Sequence, residues 1–272
     1  MKTITSKDNT KLKAVRALVR SKKERQETSC FVMEGVRALN ALIDGAALPQ
    51  YALREVWVSD KAPQNIAADY CIPHEFMEQL SDCRTSQGVL GVVEYTPAPL
   101  EINPDKGSYL LLDRLMDPGN MGTLIRSAVA FGFDGVLLHG DCVEVFNPKT
   151  VRATMGALPF FNHWKLTASG HSASRSEGEG FSNDWKNSDE ILQTLETAGY
   201  ELISTVLHGG EDLYNMDFGP KTVLVIGNEA NGVSEEILKR ATRALSIPMS
   251  GNVESLNAAV AGSICMSAIR RG

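Results

Sequence analysis

Long apolar runs are missing from this chain. Nothing in it approaches the roughly 18 residues that a membrane-spanning helix needs, and residues 1–7 have no apolar core of the kind a secretory leader carries. Both absences lead to the expectation of a cytoplasmic protein. Cysteine is scarce and unpaired: Cys30, Cys71, Cys83, Cys142 and Cys265 are odd in number, far apart and never in a Cys-x-x-Cys pair. That pattern argues against a disulfide framework and against a zinc knuckle. The histidines, His74, His139, His163, His171 and His208, show no ligand spacing, so no metal is expected. Neither G-x-G-x-x-G nor G-x-x-x-x-G-K-[ST] occurs, which removes the usual dinucleotide and P-loop sites. What remains, at 43% hydrophobic and 22% charged residues, is an ordinary globular composition. Its 272 residues exceed the usual size of a single domain.

The net charge of −6 is unevenly placed. Residues 1–37 hold ten Lys/Arg against four Asp/Glu, a balance of +6, which leaves −12 for the remainder. A basic arm on an acidic body can supply the phosphate contacts that dominate nucleic-acid affinity. The run from Lys11 to Arg20 is also a good amphipathic pattern for a solvated helix.

Asp8 or Asn9 can cap a first helix running to about Ser21, and short strands near 30–35, 54–59, 70–72 and 88–95 alternate with helices near 36–43 and 76–80. Residues 1–100 thus form a small α/β domain. Pro97, Pro99 and Pro104 give the next stretch a linker composition. A second domain, 106–272, opens with an apolar strand at 109–113, a loop to Gly122 and a helix from Thr123 to Ala130. Strand 135–139, a helix started by Asn147-Pro148, a helix at 189–198 capped by Ser188, and strands at 201–207 and 222–226 follow. Alternation of this kind predicts a parallel sheet covered by helices on both faces. Residues 166–187, rich in Ser, Gly and charge, read as a disordered surface loop, and deleting 168–180 is expected to leave folding intact.

Two turns bearing glycine and asparagine punctuate the end of the chain. In the first, the apolar run Thr222-Val223-Leu224-Val225-Ile226 stops at Gly227-Asn228-Glu229-Ala230-Asn231-Gly232-Val233-Ser234. In the second, Leu245-Ser246-Ile247-Pro248-Met249 leads through Ser250-Gly251-Asn252-Val253-Glu254-Ser255 to Leu256-Asn257 and a helix of small residues. Loops at the carboxyl ends of strands are where an open α/β sheet binds its ligand.

With Asn120-Met121-Gly122 and Arg126 upstream, these segments resemble the three motifs of the SpoU (TrmH-like) branch of the SPOUT RNA 2'-O-methyltransferases, in the same order. Phe31-Val32-Met33-Glu34-Gly35 and the stretch from Thr85 to Val93 are similar to the L30e-like substrate-binding domain that precedes many of those catalytic domains. The resemblance implies a C-terminal trefoil knot, S-adenosylmethionine as cofactor, RNA as partner and a homodimer. It implies cofactor contacts at Gly227, Asn228, Ile247, Met249, Leu256 and Asn257, and catalytic roles for Arg126, Asn120, Glu229, Ser255 and Asn257. Ala230 and Ala258 depart from it, standing where many relatives carry glycine and valine.

Within that resemblance, Asn120 orients the ribose hydroxyl. Arginine, with a pKa above ~12, is a poor base, so Arg126 is read as a fork for an RNA phosphate and a developing alkoxide. The expected reaction is S-adenosylmethionine-dependent ribose 2'-O-methylation of 23S rRNA. A tRNA 2'-O-methyltransferase and a non-catalytic RNA- or ribosome-binding protein of the same fold are the alternatives.

Overall fold

The computed structural model describes residues 1–63, 66–81, 86–167 and 185–270. Cys83, Thr85, His171, the segment 168–180 and most of the loop expected at 166–187 lie outside the described residues. The chain divides into two compact units. One is Met1–Ala98 together with Glu144–Phe160; the other is Pro99–Val143 with the described residues beyond 160.

The first unit begins with β1 (Lys2–Thr3), α1 (Thr10–Arg20) and α2 (Lys22–Thr28), followed by β2 (Cys30–Glu34) and α3 (Val36–Ile43). It continues through β3 (Tyr51–Ser59), β4 (Tyr70–Ile72), α4 (His74–Leu80) and β5 (Val89–Tyr95). The strands make one mixed sheet in the order β1-β4-β3-β5-β2. Asn9, rather than Asp8, starts α1, its Oδ1 accepting from the amides of Lys11 and Leu12. The helix then turns Leu12, Val15 and Leu18 inward, where they join Trp57, Ile72 and Phe76 in the core. The opposite side keeps the lysines in solvent, with Lys11 paired to Glu55 and Lys13 to Asp8.

The chain goes on through β6 (Gly107–Asp113), α5 (Pro118–Ala130), β7 (Gly135–His139), α6 (Pro148–Ala153), β8 (His163–Thr167) and β9 (Trp185–Asn187). It closes with α7 (Ser188–Thr197), β10 (Glu201–Thr205), β11 (Glu211–Asp212), β12 (Lys221–Ile226), α8 (Glu235–Arg240), β13 (Arg243–Ser246) and α9 (Ala258–Ile269). Of these, α6 belongs to the first unit. There Phe146 lies 4.4 Å from the Phe31 ring and 5.0 Å from Tyr95. The Arg25 guanidinium grips Glu144 with two hydrogen bonds of 2.8 and 2.6 Å. Chain order alone groups 144–160 with 106–272; one link that ties it to the first unit is a pair of charges 119 residues apart.

The second unit is an eight-stranded sheet, ordered β11-β13-β10-β12-β6-β7-β8-β9 and parallel throughout. Its central strands are continuous apolar runs, Tyr109 to Leu112 and Val223 to Ile226, because helices cover both faces and every residue of the run is buried. Helix α9 packs on α5 through Gly262, where a Cβ would stand 2.4 Å from Leu124 Cδ2. The small-residue run is what permits that approach.

Several boundaries differ from expectation. Helix α5 starts at Pro118, capped by Asp117 Oδ1 on the Asn120 amide at 2.7 Å, so Asn120 to Gly122 occupy its first turn instead of the preceding loop. Asn187, not Ser188, caps α7. Residues 166–167 and 185–187, expected in the disordered loop, belong to β8 and β9, which pair in parallel. Each of these ends is decided by which side chain reaches an unpaired amide or ladder, and several polar neighbours qualify equally by type.

Candidate active site

Strands β6, β7 and β12 are adjacent in the order β12-β6-β7, and they end at Asp113, His139 and Ile226. The segments that follow each strand meet at this carboxyl edge. From the helix after β6, Asn120 donates through Nδ2 to Glu229 Oε1 at 3.0 Å. From the cap of α9, Asn257 donates through Nδ2 to Asn120 Oδ1 at 2.9 Å. The Asp117 amide adds a 3.3 Å bond to Glu229 Oε1. Three separated parts of the sequence therefore share one hydrogen-bonded chain, Asn257 to Asn120 to Glu229. Burial disfavours the Glu229 anion, yet the Asn120 side chain and backbone amides, including those of Asp117 and Met116, outweigh it and hold the carboxyl below its usual 4.5.

The turn carrying Glu229 is closed on itself. Asn228 and Gly232 exchange backbone hydrogen bonds of 3.0 and 2.9 Å, and Asn228 Oδ1 accepts the Ala230 and Asn231 amides. Gly232 takes φ +67° to allow the reversal. A Cβ on Gly227 would lie 2.3 Å from the backbone of Gly232 and Val233, so glycine is needed here by the loop's own closure. Gly227→Ala is expected to destabilise the turn by about 1–3 kcal/mol. The readout is hydrogen exchange at the Asn228 and Gly232 amides, and protection at the wild-type level would mean that the turn accepts a methyl group.

The second turn is built differently. Among the described residues, no backbone–backbone hydrogen bond involves 249–256, and Ile247, Met249 and Leu256 are half-buried beside these unpaired groups. Apolar side chains next to free backbone donors and acceptors suit the adenosyl group that the resemblance implies. Asn257 closes the turn as the cap of α9, its Oδ1 accepting from the Ala259 and Val260 amides. Ser255 takes no part in that cap; it is exposed, and its side chain has no hydrogen bond among the described residues.

Arg126 stands apart from the hydrogen-bonded chain. It lies one helical turn past Thr123 on the exposed stripe of α5, with no hydrogen bond or ion pair among the described residues. Asp117, Arg114 and Ser234 were not singled out from the sequence, yet each holds part of the site. Asp117 caps the helix that presents Asn120, and the Arg114 carbonyl, from a backbone at φ +55°, accepts Asn228 Nδ2 at 2.9 Å. The pair Asp117-Pro118 is a helix-start signature from which the first could have been found.

Known proteins resemble both units of the chain. The SpoU rRNA Methylase family model matches residues 107–181 and 168–267, and the MRM3-like substrate binding domain model matches 9–91. The 23S rRNA (uridine(2479)-2'-O)-methyltransferase of Streptomyces viridochromogenes is 31% identical over 98% of this chain and 92% of its own. The 23S rRNA (guanosine(2553)-2'-O)-methyltransferase RlmP of Bacillus subtilis is 28% identical over 99% and 100%. The crystal structure of an AdoMet-bound rRNA methyltransferase from Sinorhizobium meliloti aligns over 99% of this chain and 97% of that one, with a TM-score of 0.81 at 29% identity. With its three motif regions gathered at one sheet edge and a family match across the second unit, the chain belongs to the SpoU rRNA methylase family and is an S-adenosylmethionine-dependent RNA ribose 2'-O-methyltransferase.

Proposed function

We propose that the protein methylates a ribose of 23S rRNA, with the chain Asn257–Asn120–Glu229 at its reacting centre. The observation that carries this reading is that chain, which ties the three motif regions together through side-chain bonds of 2.9 and 3.0 Å. Bound S-adenosylmethionine supplies an electrophilic methyl group on a sulfonium. Ile247, Met249 and Leu256, with the free backbone of 249–256, would hold it. The protein's part is then largely to position the hydroxyl. Asn120 has Oδ1 committed to Asn257 and one Nδ2 hydrogen to Glu229; the second Nδ2 hydrogen remains to donate to the ribose oxygen.

Glu229 is ionised at neutral pH and, with its lowered pKa, is a weak base for a hydroxyl. Its role is to keep the Asn120 amide the right way round. Glu229→Gln presents an amide that can turn either face to Asn120, and it is expected to slow methyl transfer about tenfold, the size of one lost charge-assisted hydrogen bond. Single-turnover methylation is the measurement, and a rate at the wild-type level would remove Glu229 from the centre. Arg126, exposed and without a partner among the described residues, is assigned to grip the phosphate beside the reacting ribose.

The RNA target rests on the two relatives named for 23S rRNA, one for a guanosine and one for a uridine. Mapping ribose 2'-O-methylation in a deletion strain tests it: a single unmodified 23S ribose, restored by the wild-type gene, is the expected outcome. A missing methyl group in tRNA instead would move the substrate to tRNA.

A homodimer is also proposed. The exposed Tyr214 and Val260, at 68% and 48%, flank an open groove of about 690 Å³ that Thr123 and Ile264 also line. Arg126 follows Thr123 on the same helix stripe, so a second copy seated there would bring Arg126 to a shared site. Sedimentation at micromolar concentration giving only the 29.6 kDa species, with activity retained, would refute this.

A further inference from the structure

Asp113 and His139 form a buried titratable pair at the edge of the site. Asp113 ends β6, His139 ends β7, and the two are register partners in neighbouring strands. Their exposures are 0% and 3%. His139 Nδ1 donates to Asp113 Oδ1 at 2.8 Å, and Asp113 Oδ2 accepts the Ser234 amide at 2.6 Å. A carboxylate this deeply buried is costly unless its oxygens are satisfied. Here one reaches the next strand and the other the far end of the turn that carries Glu229. The near end is held by the adjoining residue, where the Arg114 carbonyl accepts Asn228 Nδ2. Gly140 leaves room for the Arg114 side chain, since a Cβ there would sit 2.8 Å from Arg114 Cγ. Residues 113 and 114 therefore grip the turn on both sides of Glu229.

We propose that Asp113 and His139 are positioning residues for methyl transfer: by holding Ser234 they fix where Glu229 meets Asn120. The proposal rests on the assignment of Glu229 and Asn120 to the reacting centre.

The groups facing His139 give the grip a pH dependence. Asp113 faces it from β6; Arg114 Nε is 3.5 Å from the same Asp113 oxygen; Glu236 Oε1, in the first turn of α8, is 3.6 Å from His139 Nε2. The Cys142 thiol donates to the His139 carbonyl at 3.4 Å, and burial pushes its pKa up to about 11, so it stays neutral. Burial alone would lower His139, but the hydrogen bond and charge of Asp113, and then Glu236, outweigh it and hold the imidazole above its usual 6.5. Burial would likewise raise Asp113, and the bonds from His139 and Ser234 outweigh that, leaving it below 3.8. The imidazolium thus pairs with two carboxylates. Its hold on Asp113 is strongest below the His139 midpoint and weakens as pH rises through it.

Wild type, His139→Gln and Glu229→Gln, all full-length, are compared in single-turnover methylation of 23S rRNA from about pH 6 to about pH 9, where an unshifted and a raised histidine both titrate. His139→Gln is expected to slow transfer roughly tenfold at the acid end, a modest case of the loss that a misplaced group causes. That deficit shrinks towards the alkaline end, with affinities for S-adenosylmethionine and RNA unchanged. No deficit, or one equal at every pH, overturns the proposal. If Glu229→Gln is slow and His139→Gln is not, only the positioning role fails; if Glu229→Gln transfers at the wild-type rate, the reacting-centre assignment fails first. Should His139→Gln not fold, NMR of the wild type decides. A Ser234 amide resonance that follows the His139 titration supports the grip, and one that stays still through it overturns it.

Discussion

Arg126→Ala is expected to lower single-turnover methyl transfer by two orders of magnitude or more, with melting temperature and S-adenosylmethionine affinity at their wild-type values. Arg126 is exposed on α5 and pairs with nothing among the described residues, so truncating it should cost the fold less than about 0.5 kcal/mol. Structural damage cannot then account for a slow enzyme. What is lost is a planar, permanently charged fork, and removing one preorganised donor to a developing oxyanion costs about 10²–10³ in rate. Arg126→Lys should rescue little, because a point ammonium lacks the two parallel donors that hold a phosphate. An alanine variant transferring methyl at more than a tenth of the wild-type rate would show that the exposed guanidinium has no part in the reaction.

The way the chain reveals its site follows from which interactions are local. β6, β7 and β12 are legible because a strand buried on both faces must be apolar at every position, and Tyr109 to Leu112, Val136 to Leu138 and Val223 to Ile226 are. The polar residues that end these runs mark the site edge, and Asp113 and His139 could have been found on that ground alone. Cap identity is less legible. Ser255 and Asn257 are both good N-cap types, and only Asn257 has its oxygen within reach of two amides. Pairing of β8 with β9 was hidden because their partner residues lie about twenty apart across a polar insertion, where local composition argues for disorder. Arg126 is legible as a motif residue, but its surroundings are not. Its place on the exposed stripe of α5 depends on how α5 packs against α9 through Gly262 and Leu124, a contact between residues 138 positions apart in the chain that no local pattern encodes.

The largest expected change in stability also comes from a long-range pair. Arg25 and Glu144 side chains are 4% and 13% exposed and bonded in two-pronged fashion. Arg25 Nη1 also donates to the Leu18 carbonyl at 2.6 Å, which ties the end of α1 to the same point. Glu144→Ala leaves a guanidinium buried with only backbone carbonyls for company, and breaking a buried pair from one side costs about 3–5 kcal/mol. Arg25→Ala should cost a similar amount through lost packing of the side-chain stem as well as the unpaired carboxylate. The double replacement Arg25→Met with Glu144→Met should recover much of the loss, because two apolar side chains of similar volume remove the desolvation penalty along with the attraction. Thermal and denaturant melts of the wild type, Arg25→Ala, Glu144→Ala and the double alanine variant complete a double-mutant cycle. A coupling below about 1 kcal/mol, the range of exposed ion pairs, would mean that Phe146 against Phe31 and Tyr95, not the charge pair, holds Glu144–Phe160 in the first unit.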